Sequence, residues 1–128
     1  GGAPEIASLS QKVFVTMKQS RRGMVEQIDF FTSFGRGEGG DHRRRMGLET
    51  AGPVALITDL AVWEPDSETG ELTVTSLHPG VTAEMVQDTC GWTARFASDV
   101  AETAPPDATE LSVLRELKAR TARAHGAG

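Results

Sequence analysis

The run Val54-Ala55-Leu56-Ile57-Thr58-Asp59-Leu60-Ala61-Val62-Trp63, in which eight of ten residues are apolar, constrains the fold of this chain more than any other feature. It has no polar face, so it reads as a strand covered on both sides, and such a strand belongs to a sheet with helices packed over it. Ten residues are too many for one flat strand, and Asp59 inside the run predicts a bend or bulge there. The segment is expected at the centre of the sheet. The chain has 128 residues, 38% of them hydrophobic and 24% charged, which fits one domain with an ordinary core.

Shorter signals flank this run. Val13-Phe14-Val15-Thr16-Met17 is apolar and β-branched and reads as a second buried strand. In Met24 to Phe34, Val25, Ile28, Phe30 and Phe31 break both the helical and the strand period, and extended structure is the preferred reading. Residues 35–47 hold five glycines and almost nothing apolar, which predicts a flexible loop. Pro65 to Gly70 is dense in turn formers, and Leu72 to Leu77 alternates apolar with hydroxyl side chains, so the two predict a β-hairpin. Thr82 is placed to cap a short helix over Ala83 to Thr89 with Val81, Met85 and Val86 on its apolar side, and Gly91 sits where a left-handed stop would fall. Extended structure resumes from Trp92 to Phe96, and Pro105-Pro106 closes it. The clearest helix is 107–124, where Asp107 and Glu110 have capping-box spacing, Leu111, Leu114 and Leu117 form one stripe, and Lys118, Arg120 and Arg123 suit the negative end of the dipole.

Several function classes are disfavoured. A net charge of −5 argues against a general nucleic-acid or anionic-membrane binder. No apolar stretch approaches the roughly 20 residues of a membrane-spanning helix. Cys90 is the single cysteine, which excludes an internal disulfide and fits a reducing cytoplasm, and it reads as a small core residue. His42, His78 and His125 fall in a loop, a turn and a tail, so no metal is assigned. Asp59 must be paired or sit at a bend, since a bare buried carboxylate is costly, and hydrogen bonds to Thr58 or to backbone N–H groups would serve. Gly1-Gly2-Ala3, ahead of a short helix from Pro4 to Ser10, could surround a thioester oxyanion or a phosphate with backbone N–H groups, although an ordinary turn is the more economical reading. Arg43-Arg44-Arg45 with Arg36 and His42 could bind phosphates of a nucleotide-containing ligand, against a solvated loop as the more economical reading.

Three blocks carry a resemblance. The first is Gly1-Gly2-Ala3 through the basic turn Lys18-Gln19-Ser20-Arg21-Arg22. The second is Met24-Val25-Glu26-Gln27-Ile28-Asp29-Phe30-Phe31-Thr32-Ser33. The third is Leu56-Ile57-Thr58-Asp59-Leu60-Ala61-Val62-Trp63 with Leu77-His78-Pro79-Gly80-Val81-Thr82, Val86-Gln87, Thr89 and Gly91. In this order they resemble the C-terminal half of the β subunit of class I coenzyme A transferases, of the glutaconate CoA-transferase type. The resemblance implies an open, mainly parallel α/β sheet with flanking helices (NagB/RpiA-like), present as its C-terminal portion in residues 1–128. It also implies a heteromer with an α subunit, acyl-CoA as substrate with no further cofactor, and a glutamate that becomes a glutamyl-CoA thioester. None of Glu5, Glu26, Glu38 and Glu49 stands in a matching context, so the catalytic residue is unknown within this chain. Gly1, Gly2 and Ala3 are carried over as the candidate CoA or oxyanion site.

Gly1 in place of an initiator methionine and the start of the match suggest a fragment that lacks the N-terminal half of its subunit. By itself it is expected to be inactive and to exist in a complex. A thioester hydrolase or ring-opening relative, and an inactive assembly module, remain as alternatives.

Overall fold

The computed structural model describes residues 2–126. In chain order these form α1 (Ala3–Leu9), β1 (Val13–Thr16), α2 (His42–Arg45), β2 (Pro53–Ile57), β3 (Ala61–Pro65), β4 (Leu72–Leu77), α3 (Ala83–Asp88), β5 (Arg95–Glu102) and α4 (Ala108–His125). The strands make one open sheet in the order β1-β2-β3-β4-β5. Pairings β1/β2 and β4/β5 are parallel, while β2/β3 and β3/β4 are antiparallel. Four strands therefore run one way and β3 alone runs against them. The open sheet with helices around it agrees with the expected class, although by pairing it is mixed. No helix among the described residues is long and apolar enough to cross a membrane.

The apolar run 54–63 is not one bent strand. It folds back on itself at Thr58-Asp59-Leu60 to give β2 and β3, because the Thr58 hydroxyl accepts from Leu60 N (3.1 Å) and Ala61 N (3.0 Å) and Thr58 N donates to Ala61 O (2.9 Å). One threonine takes up the backbone groups that a continuous strand would have paired. The sheet centre is accordingly β3, with Ala61 and Trp63 fully buried. Around Trp63 pack Met24, Leu56, Val74, Val86, Cys90 and Ala94, and Trp92 lies 6.1 Å away, ring centre to ring centre. Cys90 is a core residue, as its chemistry suggested. The β3–β4 hairpin also forms as expected, its turn closed by Asp66 Oδ1, which accepts from Glu68 N and Thr69 N.

Residues 13–16 do form a strand, with Met17 just beyond it, but it is not buried: β1 is an edge, and Phe14 is 63% exposed. Met24 to Phe34 forms no strand. Gly23 N and Met24 N both bond back to Ser20 O, which turns the chain into the core at Met24, and Ile28, Phe30 and Phe31 are then left exposed. Gly91 adopts no left-handed conformation. It is required for close approach, since a Cβ there would lie 2.5 Å from Met24 O and 3.1 Å from Val25 Cα, beside the bond from Gly91 N to Met24 O. Gly91→Ala should therefore destabilise the protein by about 1–3 kcal/mol through overpacking against backbone. An unchanged urea midpoint would contradict this.

Helix α3 is capped by Thr82, whose hydroxyl accepts from Met85 N, and it buries Val86 as the pattern requires. Strand β5 begins later than expected because the Gln87 amide occupies the backbone of the preceding residues, donating to Trp92 O and accepting from Ala94 N (both 2.9 Å). Helix α4 carries the full Asp107–Glu110 capping box, but none of its residues is buried, and Val113, Leu114 and Leu117 remain exposed. Asp107→Ala should remove about 1 kcal/mol from this helix alone. Because α4 is not packed into the core, the loss is expected as reduced amide-exchange protection over residues 108–112 with no shift of the main unfolding midpoint.

Candidate functional site

The strands β1, β2, β4 and β5 all deliver their carboxyl ends to the same rim, the edge at which open α/β sheets place their ligands. Four short segments meet there: Met17 to Gln19 after β1, the Thr58–Leu60 turn after β2, His78 after β4 and Thr103 after β5. Gln19 is 4% exposed and ties the first two of these to β3 and α3. Its side-chain oxygen accepts from Trp63 Nε1 (3.2 Å) and the Thr58 hydroxyl (3.0 Å), while its amide nitrogen donates to Val86 O (3.1 Å) and Thr89 Oγ1 (2.9 Å). Every polar atom of the amide is used, which is the condition for burying it.

Asp59 stands at the solvent edge of this network and accepts from Gln19 N at 2.7 Å. The expectation that it would be satisfied by backbone at a turn is met. That hydrogen bond holds its carboxyl below the usual carboxylate range, with smaller help from Lys18 and His78 and opposition from desolvation. A depressed folded-state pKa means that ionised Asp59 contributes stability above the unfolded carboxylate pKa near about 4, lost as pH falls through the lower folded value. The stability difference between wild type and Asp59→Asn should accordingly be largest near neutrality and shrink on acidification below about pH 4. Parallel pH profiles of the two unfolding midpoints would contradict it.

His78 bridges the turn to β5. Its Nε2 lies 2.9 Å from Thr58 O, which can only accept, so Nε2 carries the proton. Nδ1 lies 2.8 Å from the Thr103 hydroxyl, which can serve it as donor or as acceptor. No glutamate belongs to this cluster, and its buried groups are already engaged. The rim can orient backbone and present the charges of Lys18 and Asp59.

At the opposite end of the sheet the arginine loop departs from the solvated reading. Residues 35–47 contain the single helical turn α2, and Arg43 is only 6% exposed. Its guanidinium donates to Gly35 O (2.6 Å), Thr50 O (3.1 Å), Thr50 Oγ1 (2.9 Å) and Ser8 O (3.1 Å), and it lies over the Phe34 ring. Gly52, at φ +67°, makes room for it, since a Cβ there would lie 2.6 Å from Arg43 Cζ. Burial, and secondarily the Arg36 charge, lower the Arg43 pKa. Arg45 instead pairs on the surface with Asp41 (3.3 Å) and Glu38 (3.4 Å).

Of the Gly1-Gly2-Ala3 candidate, Gly1 lies outside the described residues. Gly2 is the exposed N-cap of α1 and Ala3 its first residue, close to the Pro4 to Ser10 span expected for that helix. The structure does not bring Gly2 and Ala3 to the arginines; Ser8, in the last turn of α1, is what Arg43 holds. His42 interacts with Glu38, His78 lies on the opposite rim, and His125 ends α4. Among the described residues no three His, Cys, Asp or Glu side chains are grouped to hold a metal ion. Gln19 and Thr89 are the residues that sequence reasoning missed, and Thr58 was named only as a partner for Asp59, which accepts from Gln19 N instead. Gln19 sits in the polar stretch Lys18-Gln19-Ser20, where only Thr58, as a hydroxyl inside an apolar run, offered a signal.

A family model described as Coenzyme A transferase matches residues 1–89. The chain is 56% identical over 126 residues to the β subunit of 3-oxoadipate CoA-transferase of Pseudomonas knackmussii, a match covering 98% of this chain and 48% of that protein. It is 29% identical over 117 residues to the β subunit of glutaconate CoA-transferase of Acidaminococcus fermentans, covering 91% of this chain and 43% of that one. The crystal structure of the glutaconate CoA-transferase superposes with a TM-score of 0.80 at 28% identity, over 91% of this chain and 44% of its own. IpdAB of Rhodococcus jostii shares the fold, with a TM-score of 0.71 at 22% identity over 90% of this chain and 46% of that one. The chain thus spans less than half the length of the relatives it matches.

Proposed function

Because the chain belongs to the coenzyme A transferase family, we propose that it is part of a CoA-transferase β subunit that moves CoA between an acyl-CoA thioester and a carboxylic acid, with the nucleophile outside these 128 residues. The observation that carries this reading is the 56% identity over nearly the whole chain to a 3-oxoadipate CoA-transferase subunit. By the same likeness the carboxylic acid is a dicarboxylic one of the 3-oxoadipate kind. The partners are an α subunit and the further residues that the longer relatives possess, and a buried, unpaired Cys90 suits work in the cytoplasm. No metal or redox group is required, and the CoA thioester enters as substrate.

The reaction is acyl transfer through a carboxylate. The glutamate carboxylate attacks the thioester carbonyl and CoA thiolate leaves, giving a mixed anhydride. The thiolate then attacks the glutamyl carbonyl, releasing the first carboxylate and leaving a glutamyl-CoA thioester; the acceptor acid reverses both steps. Backbone N–H groups stabilise the oxyanion at each attack. Gly1, Gly2 and Ala3 remain the part of this chain proposed to border that oxyanion. The alternatives of a hydrolase and an inactive assembly module gain no support from the geometry.

The assembled protein, incubated with acyl-CoA and then reduced with borohydride, should carry its modified glutamate on a peptide outside this sequence, and should transfer CoA to 3-oxoadipate. Reduction at Glu5, Glu26, Glu38 or Glu49, or turnover by this chain alone, would overturn the assignment of the nucleophile.

A further inference from the structure

We propose that the cleft beside Arg36, Arg43 and Arg44 is an anion site that takes a phosphate group. Four of the thirteen basic residues of an acidic chain lie within residues 36–45, so the cations are concentrated here against the net charge. The cleft has a volume of about 460 Å³ and is lined by these three arginines together with Asp41, Glu49 and Thr50. Arg43 is buried, yet all four of its acceptors are neutral: three backbone carbonyls and one hydroxyl. A buried cation is normally matched by a carboxylate or another anion. Arg36 adds a second guanidinium, which donates to Ala51 O and Pro53 O (both 3.3 Å) and keeps a buried Nε without a partner.

The carboxylates near the cleft do not cancel this charge. Asp41 and Glu38 are engaged by Arg45, which leaves Glu49 as the one lining carboxylate without an ion pair among the described residues. Arg44 is exposed and makes no ion pair among the described residues, so its fork is free to close on a ligand. Guanidinium forks match the oxygens of phosphate in bidentate fashion, and a dianion would balance the excess. Two sources share this chemistry: inorganic phosphate, and the phosphomonoester of a nucleotide such as the 3′-phosphate of CoA. Only the second rests on the function proposed above.

The test is a titration of the assembled protein with inorganic phosphate in chloride buffer at low ionic strength, followed by calorimetry. Wild type should bind, Arg44→Gln should bind about threefold to tenfold more weakly, and Glu49→Gln should bind more tightly. Arg115→Gln, on exposed α4, should change nothing. Absence of phosphate binding, an Arg44→Gln variant equal to wild type, or an equal loss in Arg115→Gln would overturn the site, whatever the transferase assay gives. A second titration separates the sources. CoA binding more tightly than dephospho-CoA, with the difference reduced in Arg44→Gln, would support the nucleotide phosphate; equal binding of the two beside intact phosphate binding would support the free anion.

Discussion

Trp63→Ala should cost about 3–5 kcal/mol, a large share of the roughly 5–15 kcal/mol that holds a domain of ordinary stability together. Trp63 is fully buried on the central strand β3, packs against Met24, Leu56, Val74 and Val86, and faces Trp92. Truncation leaves a cavity bounded by strand and helix backbone, which cannot collapse onto it. It also strips one donor from Gln19, whose side-chain oxygen accepts from Trp63 Nε1. A fall of the thermal midpoint by roughly 10–20 °C is the expected observation. A variant that unfolds within a few degrees of wild type would show that the core does not depend on this ring.

Gln19→Leu is expected to cost about 2–3 kcal/mol, although leucine is close in size and more apolar. Trp63 Nε1 would be left buried without an acceptor, whereas Thr58 keeps Ala61 O, and Val86 O keeps the Thr89 hydroxyl. The penalty is that of the orphaned N–H, so it should fall when the N–H is removed as well. Adding Trp63→Phe to Gln19→Leu should therefore cost less than the sum of the two single substitutions. Strict additivity in denaturant unfolding would place the cost in shape instead of in the hydrogen bond. Asp59 should keep its partner throughout, because it is bound to the backbone N–H of residue 19 and not to the side chain.

The outcome at Arg43 explains why the candidate site was only partly legible. Glycines at 35, 37, 39, 40 and 47 around a run of arginines carry every local mark of a solvated loop. The acceptors that bury Arg43 come from Ser8, 35 residues earlier, and from Gly35 and Thr50 on either side. Composition reports on the segment itself, and nothing in it foretells which carbonyls will surround one of three consecutive arginines. The same holds for Gln19, whose partners lie up to 70 residues away.

Where the determining interactions span a few residues, the sequence settled the outcome by itself: the Asp107–Glu110 capping box, the Thr82 cap and the Asp66 turn of the β3–β4 hairpin all stand where side chains bond to backbone two or three positions away. The alternation of strands with short helices likewise pointed to an α/β domain, and the resemblance to the coenzyme A transferases added that its sheet is open. Only the tertiary structure decided that β1 is an edge, that the run 54–63 reverses at Thr58, and that Gly91 serves a close approach to Met24 instead of a left-handed turn. An apolar strand reads the same from its own residues whether one neighbour or two will pair with it. Which of them lies at the rim, and which polar side chain is drawn into the core to join four segments, depends on contacts between residues far apart in the chain. Those contacts form only when the whole sheet closes.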